Sequence, residues 1–397
     1  MLRVLTLSTL YPDSSRPAFG VFVERQTLAL AARPGVEVEV AAPVGLPPWP
    51  LSLHPHYRAR TRLPAKERRN GLPVHRPRFR TWPGLGEAGK ARALAAALLP
   101  LVRTLRLDVI DAQFFWPDGV AAMHLAEGLG LPFSIKARGS DVHFWGQRPA
   151  VAEQMLAAAD RSAGLAAVSA ALKADMAAMG MPADKIRVHH TGLDLDRFRP
   201  LDRDAAKRRL GVEGPLIVSP GNLVPLKGHG LAIEALSGIT GATLLIAGEG
   251  PERPALARLI GARGLEGRVR LLGSVAPESM PELLGAADLM LLLSEREGLA
   301  NVWIEALACG TPILVPDVGG AREVLDRPEA GRLVAREPEA VASSARAILD
   351  SPPDPAAVRA CAERFSWERN GAELHEHLSS LSPEGMGRGT TRRVAEG

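Results

Sequence analysis

Short, uninterrupted apolar runs are the feature that most constrains the fold of this chain. Residues 289–293 are LMLLL, a run without a polar residue, as expected for a strand covered on both faces. Similar runs alternate with helical segments, which predicts an α/β fold with parallel sheets between helices. The predicted strands are residues 3–8, 36–41, 108–112, 132–136, 165–168, 186–190, 216–219, 243–247, 269–272, 289–293 and 313–315.

The length of 397 residues indicates two or three domains, each able to bury a full core. The strand–helix pattern of the first half repeats in the second. Between the halves, residues 199–214 are charged and contain Pro200, which suggests an interdomain linker. Helices are predicted at 21–32, 88–106, 118–129, 302–309, 338–349, 355–364 and 366–378.

Composition excludes several classes of protein. Two cysteines, Cys309 and Cys361, provide neither a disulfide framework nor a metal-site spacing, which suits a reducing cytoplasm. The apolar run near the N-terminus is short and ends at Pro12, so we expect a strand there and not a signal peptide. No apolar run approaches the roughly 20 residues of a membrane span.

Residues 45–83 form the one long segment without a clear strand–helix pattern. They contain eight prolines, Trp49 and Trp82, and nine Arg or Lys between Arg58 and Arg80 against only Glu67. No recognisable nucleic-acid module accompanies this charge, so we expect no nucleic acid partner. Tryptophan and basic residues favour an anionic membrane surface; an ordinary solvated basic loop is the alternative.

Residues 294–316, SEREGLANVWIEALACGTPILVP, indicate a strand end, a loop, a short helix and a second strand. Asn301 is a suitable N-cap, and Gly310 and Pro312 end the helix. Glu305 lies one turn after Asn301, and helical side chains lean toward the N-terminus, so Glu305 and Glu297 can face one crevice. Two acids beside helix N–H groups suit a ligand with hydroxyls and phosphate, such as a nucleotide sugar.

The two acids are separated by seven residues within the segment EGLANVWIEALACGTPILVPDVGGAREVL. This segment resembles the donor-site signature of family 4 retaining glycosyltransferases, which have the GT-B fold. The resemblance extends over nearly the whole chain. It includes RGSDV at 138–142, HTGLDLDRFRP at 190–200, GNLVPLKGH at 221–229, IAGEGPER at 246–253 and FSWER at 365–369.

The resemblance implies two doubly wound parallel-sheet (Rossmann-like) α/β domains facing across a cleft. Residues 1–200 would bind the acceptor and residues 201–365 the nucleotide-sugar donor. A helix over residues 366–380 would cross back to the first domain. Residues 381–397, rich in Gly, Arg, Thr and Ser, are predicted to be a disordered tail.

The resemblance also assigns donor-binding roles. Lys227 would bind the diphosphate, and Asn222 occupies a position where the family usually has Arg. Glu297 would accept from hydroxyls of the donor sugar and Glu305 from the ribose. The other predicted donor contacts are Gly20, Val275 beside the base, Gly298, and the N–H groups of Leu299, Ala300 and Asn301.

In the first domain the resemblance points to RGSDV. Many relatives have His where this chain has Arg138, so Arg138 would stabilise phosphate charge, and His143 is a nearby alternative. The predicted catalytic residues are Glu297, Lys227 and Arg138, with Asp141 and His143 as acceptor contacts.

The function implied is transfer of a sugar, with retention, from a nucleotide diphosphate sugar to an acceptor hydroxyl on a glycan or lipid-linked intermediate of bacterial cell-surface polysaccharide. The resemblance implies a hexosyltransferase that uses neither a metal ion nor another cofactor. We expect a cytoplasmic protein, peripheral on the inner face of the membrane. The alternative is a non-catalytic relative that binds a nucleotide sugar or a partner enzyme, because Asn222 and Arg138 depart from the family pattern.

Overall fold

The computed structural model describes residues 1–17, 19–82, 87–383 and 385. Contacts between residues divide the chain into two units. Unit 1 comprises Met1–Gly192 and the described residues from Trp367 onward, and unit 2 comprises Leu193–Ser366.

The main sheet of unit 1 has eight strands in the order β10-β9-β8-β7-β1-β2-β5-β4 within the described residues. All neighbours are parallel except the β4–β5 hairpin. β3 and β6 form a separate parallel pair. The strands are β1 (Leu2–Leu7), β2 (Val36–Ala41), β3 (Val44–Leu46), β4 (Lys66–Arg69), β5 (Leu72–His75), β6 (Arg78–Arg80), β7 (Val109–Ala112), β8 (Phe133–Ala137), β9 (Gly164–Ala167) and β10 (Ile186–Val188).

Helices connect these strands, as parallel pairing requires. The α-helices are α1 (Val21–Ala31), α2 (Pro55–Thr61), α3 (Glu87–Val102), α4 (Val120–Leu129), α5 (Pro149–Arg161) and α6 (Ala170–Ala178). Two wide helical turns, Phe115–Gly119 and Asp141–Trp145, follow the ends of β7 and β8.

Unit 2 is built around a six-stranded parallel sheet in the order β13-β12-β11-β14-β15-β16 within the described residues. The strands are β11 (Leu216–Pro220), β12 (Thr243–Ala247), β13 (Val269–Gly273), β14 (Leu289–Leu291), β15 (Ile313–Val315) and β16 (Gly331–Leu333). The helices are α7 (Arg203–Arg209), α8 (His229–Leu236), α9 (Arg253–Ala262), α10 (Met280–Ala286), α11 (Asn301–Ala308), α12 (Ala321–Val324), α13 (Pro338–Asp350) and α14 (Pro355–Ala360).

Both faces of the unit 2 sheet are buried. Along β12, Leu244 and Ile246 belong to the core on one face, whereas Leu245 and Ala247 belong to the core on the other. Successive strand residues point to opposite faces, so a strand covered on both sides must be apolar throughout. This explains why its strands appear in the sequence as continuous apolar runs.

The last helix of the chain, α15 (Trp367–Leu381), packs in unit 1. Its Leu374 and Leu378 join the core that contains Val23 and Leu30 of α1. The backbones approach closely at Gly371, where a Cβ would lie 2.5 Å from the carbonyl oxygen of Ala29. A glycine is therefore required there for α15 to pack against α1.

Several segments differ from the prediction. Residues 45–83 are not irregular, because α2 and β4–β6 lie in the described part of that segment. The predicted linker contains α7, and Ala206 and Val212 are part of the unit 2 core. The strand β16 was not predicted, and the predicted tail lies almost wholly outside the described residues.

Replacing Gly371 with alanine tests the packing of α15. We expect Gly371→Ala to lower the free energy of unfolding by about 1–3 kcal/mol, because the new methyl group overlaps the Ala29 carbonyl. The matched control is Gly128→Ala on α4, where no atom lies within 4 Å of the new Cβ. That change should instead stabilise by about 0.5–1 kcal/mol through helix propensity. Urea denaturation measures both, and stabilisation by both would contradict the packing argument.

Candidate functional site

Two loops at the carboxyl edge of the unit 2 sheet bring Lys227 and Glu297 together. Lys227 ends a 3₁₀ turn, Pro225–Lys227, in the loop after β11, and Glu297 lies in the loop after β14. Because β11 and β14 are parallel neighbours, these loops share one edge. The Lys227 Nζ lies 2.5 Å from the Glu297 Oε1, and both side chains remain partly exposed, at 22% and 13%.

Backbone contacts hold the two loops in register. The Glu295 N–H donates to the Leu226 carbonyl at 2.9 Å. Gly228 has a φ of +70°, and a Cβ there would lie 2.4 Å from the Leu293 carbonyl oxygen. The glycine after Lys227 therefore allows the turn to lie directly against the end of β14.

The glycine pair after β15 supports the Glu297 loop from the other side. The Gly320 N–H donates to the Gly298 carbonyl at 2.7 Å. A Cβ on Gly319, whose φ is +51°, would lie 2.3 Å from the Glu297 carbonyl oxygen. The VGG letters of the sequence motif thus form the turn that positions Glu297.

Helix α11 begins at the end of this loop. It starts at Asn301, and the capping position is Ala300, whose side chain makes no capping hydrogen bond. The prediction of Asn301 as the N-cap is therefore wrong by one residue. The first N–H groups of any helix lack acceptors within the helix, and α11 begins two residues after Leu299, which is buried.

Glu305 lies one turn into α11 and is half-buried. Burial raises the pKa of its carboxyl group to about 7, although the positive charge of Arg197 acts to lower this pKa. No hydrogen-bond partner for this carboxylate occurs among the residues that the structure describes. Glu305 is therefore a carboxyl group near its point of half-ionisation at neutral pH, ready to accept from a ligand.

The raised pKa of Glu305 predicts a pH-dependent stability. Between its unfolded value near 4.5 and about 7, the folded protein holds a proton that the unfolded chain has lost. The free energy of unfolding should therefore fall as pH rises from 5 to 7.5, by roughly 1–3 kcal/mol more in wild type than in Glu305→Gln. Denaturation at several pH values measures this. The control is Glu278→Gln, which changes an exposed glutamate, and its pH dependence should match that of wild type. Identical slopes of the free energy of unfolding against pH in all three proteins would contradict the prediction.

The other predicted donor residues of unit 2 lie around these loops. Asn222 is exposed at the start of the loop that contains Lys227. Val275 follows β13 and packs partly against the unit 2 core.

In unit 1, Gly20 is the residue before α1. Its φ is +69°, and a Cβ would lie 1.6 Å from the Leu10 carbonyl oxygen. No side chain fits there, so position 20 must be a glycine for α1 to begin directly after the loop that follows β1.

Arg138 is fixed at the carboxyl end of β8. Its Nε donates to the Gln113 carbonyl at 2.8 Å, and its guanidinium also donates to the Gln113 side chain. The guanidinium lies 4.7 Å from the centroid of the Phe22 ring, near the start of α1. Burial lowers the pKa of Arg138 to about 10, so it stays charged at neutral pH.

The carboxylate of Asp141 organises this loop and does not face a ligand. It is fully buried and accepts from the backbone N–H groups of Arg138, Gly139, Val142 and Phe115. This differs from the predicted contact with an acceptor. His143 pairs instead with Asp175 of α6, Nε2 to Oδ2 at 2.8 Å, and remains partly exposed.

A buried polar network behind Arg138 was missed, since its members carry no recognisable sequence spacing. The Lys136 Nζ donates to the Gln26 side chain at 2.8 Å and lies 3.0 Å from the His189 Nδ1. The His189 Nε2 faces the Asn370 carbonyl at 3.0 Å, so the proton resides on Nε2. Burial holds the pKa of Lys136 well below its usual range.

Comparison with known proteins establishes the family. A family model described as Glycosyltransferase Family 4 matches residues 20–197, and one described as Glycosyl transferases group 1 matches residues 202–365. The chain is 31% identical over 337 residues to the teichuronic acid biosynthesis glycosyltransferase TuaC of Bacillus subtilis, covering 82% of this chain and 84% of that protein. The chain belongs to glycosyltransferase family 4.

Other relatives agree with this assignment. The D-inositol 3-phosphate glycosyltransferase of Rhodococcus erythropolis is 32% identical over 276 residues, covering 65% of this family 4 chain and 62% of that protein. Among solved structures, Anabaena Alr3699/HepE in complex with UDP superposes with a TM-score of 0.74 at 21% identity, covering 96% of this chain and 100% of that one. The fold is GT-B, and the protein is a glycosyltransferase.

Neither a metal-binding cluster nor a membrane-spanning helix occurs among the described residues. No group of three or more His, Cys, Asp or Glu side chains there could hold a metal ion. No helix in that part of this glycosyltransferase is long and apolar enough to cross a membrane.

Proposed function

We propose that this glycosyltransferase transfers a hexose, with retention of configuration, from a nucleoside diphosphate sugar to an acceptor hydroxyl. The observation that carries the proposal is the Lys227–Glu297 pair at the sheet edge, beside the start of α11. A cation, a carboxylate and helix N–H groups together suit a ligand with phosphate and hydroxyl groups. Solved neighbours that contain UDP and UDP-glucose support the same donor class.

Each group has a separate role in donor binding. Lys227 neutralises the diphosphate, and Glu297 accepts from hydroxyls of the donor sugar. Glu305 accepts from the ribose hydroxyls, which stabilises its ionised form. The N–H groups of residues 298–301, together with Gly20 and Val275, complete the contacts to phosphate and base.

The reaction proceeds by front-face displacement. The bond between the anomeric carbon of the donor sugar and the leaving phosphate oxygen breaks, and the acceptor oxygen forms the new C–O bond on the same face. The leaving phosphate takes up the proton of the acceptor hydroxyl. Lys227 and Arg138 stabilise the charge that develops on this phosphate. The groups proposed for catalysis are therefore cations and N–H dipoles of the chain, without a metal ion or another cofactor.

Removing the Lys227 charge tests the donor site. We expect Lys227→Ala to weaken UDP binding by roughly 10- to 100-fold, because a charge-assisted contact contributes about 1.5–3 kcal/mol. Transfer activity should fall in parallel. Conversely, Asn222→Arg should tighten UDP binding several-fold at low salt, since it adds a cation to the same loop. Isothermal calorimetry measures these affinities.

The control is Arg258→Ala, which removes an exposed cation of α9 away from this loop. Its UDP affinity should equal that of wild type. Unchanged affinity in a folded Lys227→Ala protein would refute the assignment of Lys227. Normal UDP-sugar binding without transfer to any acceptor would instead support the non-catalytic alternative.

We further propose that the enzyme works at an anionic membrane surface, where a lipid-linked acceptor resides. Trp49 and Trp82 are 78% and 55% exposed, and Leu51 and Leu53 are also exposed. β3 and β6 are parallel, with Leu46 opposite Arg80, so the chain leaves both strands at one edge and carries Trp49 and Trp82 there. This apolar edge supports docking to a membrane surface. Exposed basic residues lie nearby in the sequence: Arg58, Arg62, Lys66 and Arg68.

Not all nine positive charges of this segment are available for docking. Arg76 is buried and donates to Glu67 and to the Pro12 carbonyl. Arg69 pairs with Glu24 of α1 at 2.5 Å. These two arginines belong to the interior of unit 1, so the docking surface is smaller than the sequence predicts.

Cosedimentation with vesicles tests the docking surface. Wild type should bind vesicles that contain phosphatidylglycerol, and binding should decrease as salt rises. Trp49→Ser/Leu53→Ser and Arg58→Gln/Arg62→Gln should each weaken it by roughly tenfold or more, since each basic residue contributes about 1 kcal/mol. Arg258→Gln/Arg346→Gln, which neutralises two exposed arginines of unit 2, should bind like wild type. If wild type stays in the supernatant at low salt, the proposal is refuted.

A further inference from the structure

Unit 1 contains a pocket of about 350 Å³ at the carboxyl edge of its sheet. The pocket lies beside Thr9 and Leu10, which follow β1, and beside Phe114 and Trp116, which follow β7. All of its lining residues belong to unit 1. Aromatic rings form much of the wall: Phe19, Tyr57, Phe79, Trp82, Phe114, Trp116 and Trp145.

Two tryptophans stack on each other in this wall. The ring centroids of Trp116 and Trp145 are 4.4 Å apart with an interplanar angle of 34°, and Phe144 packs edge-on against Trp145. Trp116 is fully buried, and its indole N–H has no acceptor among the described residues. Trp116 therefore supports Trp145 from the interior, and the aromatic side chains that line the pocket offer apolar surface to the C–H groups of a pyranose ring.

Two cations face the same pocket. The Lys90 Nζ lies 5.0 Å from the ring centroid of Trp116, and burial lowers the pKa of this lysine. Arg60 of α2 also lines the pocket; burial, together with the charge of Arg16, lowers its pKa. Its Nε is buried and without a hydrogen-bond partner in the described part of the chain. Neither cation is in an ion pair with a described carboxylate.

The acids near the pocket do not neutralise these cations fully. Glu87 pairs with Arg148, and Asp13 pairs with Arg16. Asp118 is buried next to the pocket, where its Oδ2 accepts from the Thr9 N–H at 2.9 Å. Burial raises the pKa of Asp118 to about 7, so it offsets the field of Lys90 only in part. The pocket therefore has an excess of positive charge and of hydrogen-bond donors.

We propose that this pocket binds the acceptor and selects a pyranose that carries a negative charge. The sugar ring packs against the aromatic side chains that line the pocket, and its anionic group lies between Arg60 and Lys90. An anion there restores the electrostatic interactions that burial removes from the two cations. The inference rests on the proposed transfer to a sugar hydroxyl and specifies the acceptor class.

Carboxylate and phosphate share the chemistry that the two cations recognise. A uronic acid and a sugar phosphate are therefore the two sources of the negative charge. A neutral sugar would leave both cations without a counter-ion. The structure thus favours either anionic sugar over its neutral counterpart.

Calorimetric titration of the full chain tests the proposal with three probes: methyl glucuronide, glucose 6-phosphate and methyl glucoside. At least one anionic sugar should bind tenfold or more tightly than methyl glucoside, in line with the strength of charge-assisted contacts. Tighter binding of methyl glucuronide identifies a uronic acid acceptor, and tighter binding of glucose 6-phosphate identifies a sugar phosphate. Equal binding of all three, or no binding up to their solubility limits, overturns the proposal.

Variants assign the effect to the pocket. Lys90→Met keeps an apolar side chain of similar length, and Arg60→Gln keeps a polar one. Each should reduce the preference for the anionic sugar about tenfold or more. Arg92→Gln, at an exposed position of the same helix α3, should not. A preference that persists in both pocket variants overturns the proposal.

UDP titration separates this test from that of the donor site. Lys90→Met and Arg60→Gln should bind UDP like wild type, which also shows that they are folded. Failure of wild type to bind UDP would count against the proposed transfer reaction. Failure of the anionic preference, with normal UDP binding, would count against the acceptor class alone.

Discussion

Parallel strands cannot be joined by tight turns, so each connection between parallel neighbours in these two sheets must cross from one end of the sheet to the other. In consequence the loops that leave parallel strands gather at one edge. In unit 2 this places the loop after β11 beside the loop after β14, and Lys227 meets Glu297. In unit 1 the segments after β7 and β8 meet in the same way, and Arg138 contacts Gln113. The candidate chemistry of both units follows from strand direction.

Glycine determines how closely these loops approach. Gly228 and Gly319 each lie so near a carbonyl group that a Cβ would overlap it, and both have positive φ. The two residues hold the Glu297 loop from opposite sides. The motif letters around the two glutamates thus encode backbone contacts as much as ligand contacts.

The sequence predicted most strands of the main sheets to within one or two residues, because strands buried on both faces must be apolar throughout. It failed where that rule does not apply. The strand β4 is KERR, whose charges conceal a short edge strand, and β16 is three residues long and includes Gly331. The family signature pointed to Lys227 and Glu297. The pocket residues Arg60, Lys90 and Trp145 carry no local signal, because only the tertiary fold brings them together.

In the proposed donor site, Lys227 and Glu297 already serve as counter-ions for each other. A ligand that offers phosphate alone must compete with Glu297 for Lys227 and leaves a carboxylate without a cation. A ligand that carries phosphate and hydroxyl groups compensates both partners when the pair opens. The proposed site would therefore select against inorganic phosphate and other simple cellular anions, independently of the shape of the sugar. When a ligand opens an internal ion pair of this kind, its contacts replace the contact between the two side chains. Only a ligand that contacts both side chains compensates for the loss of the ion pair.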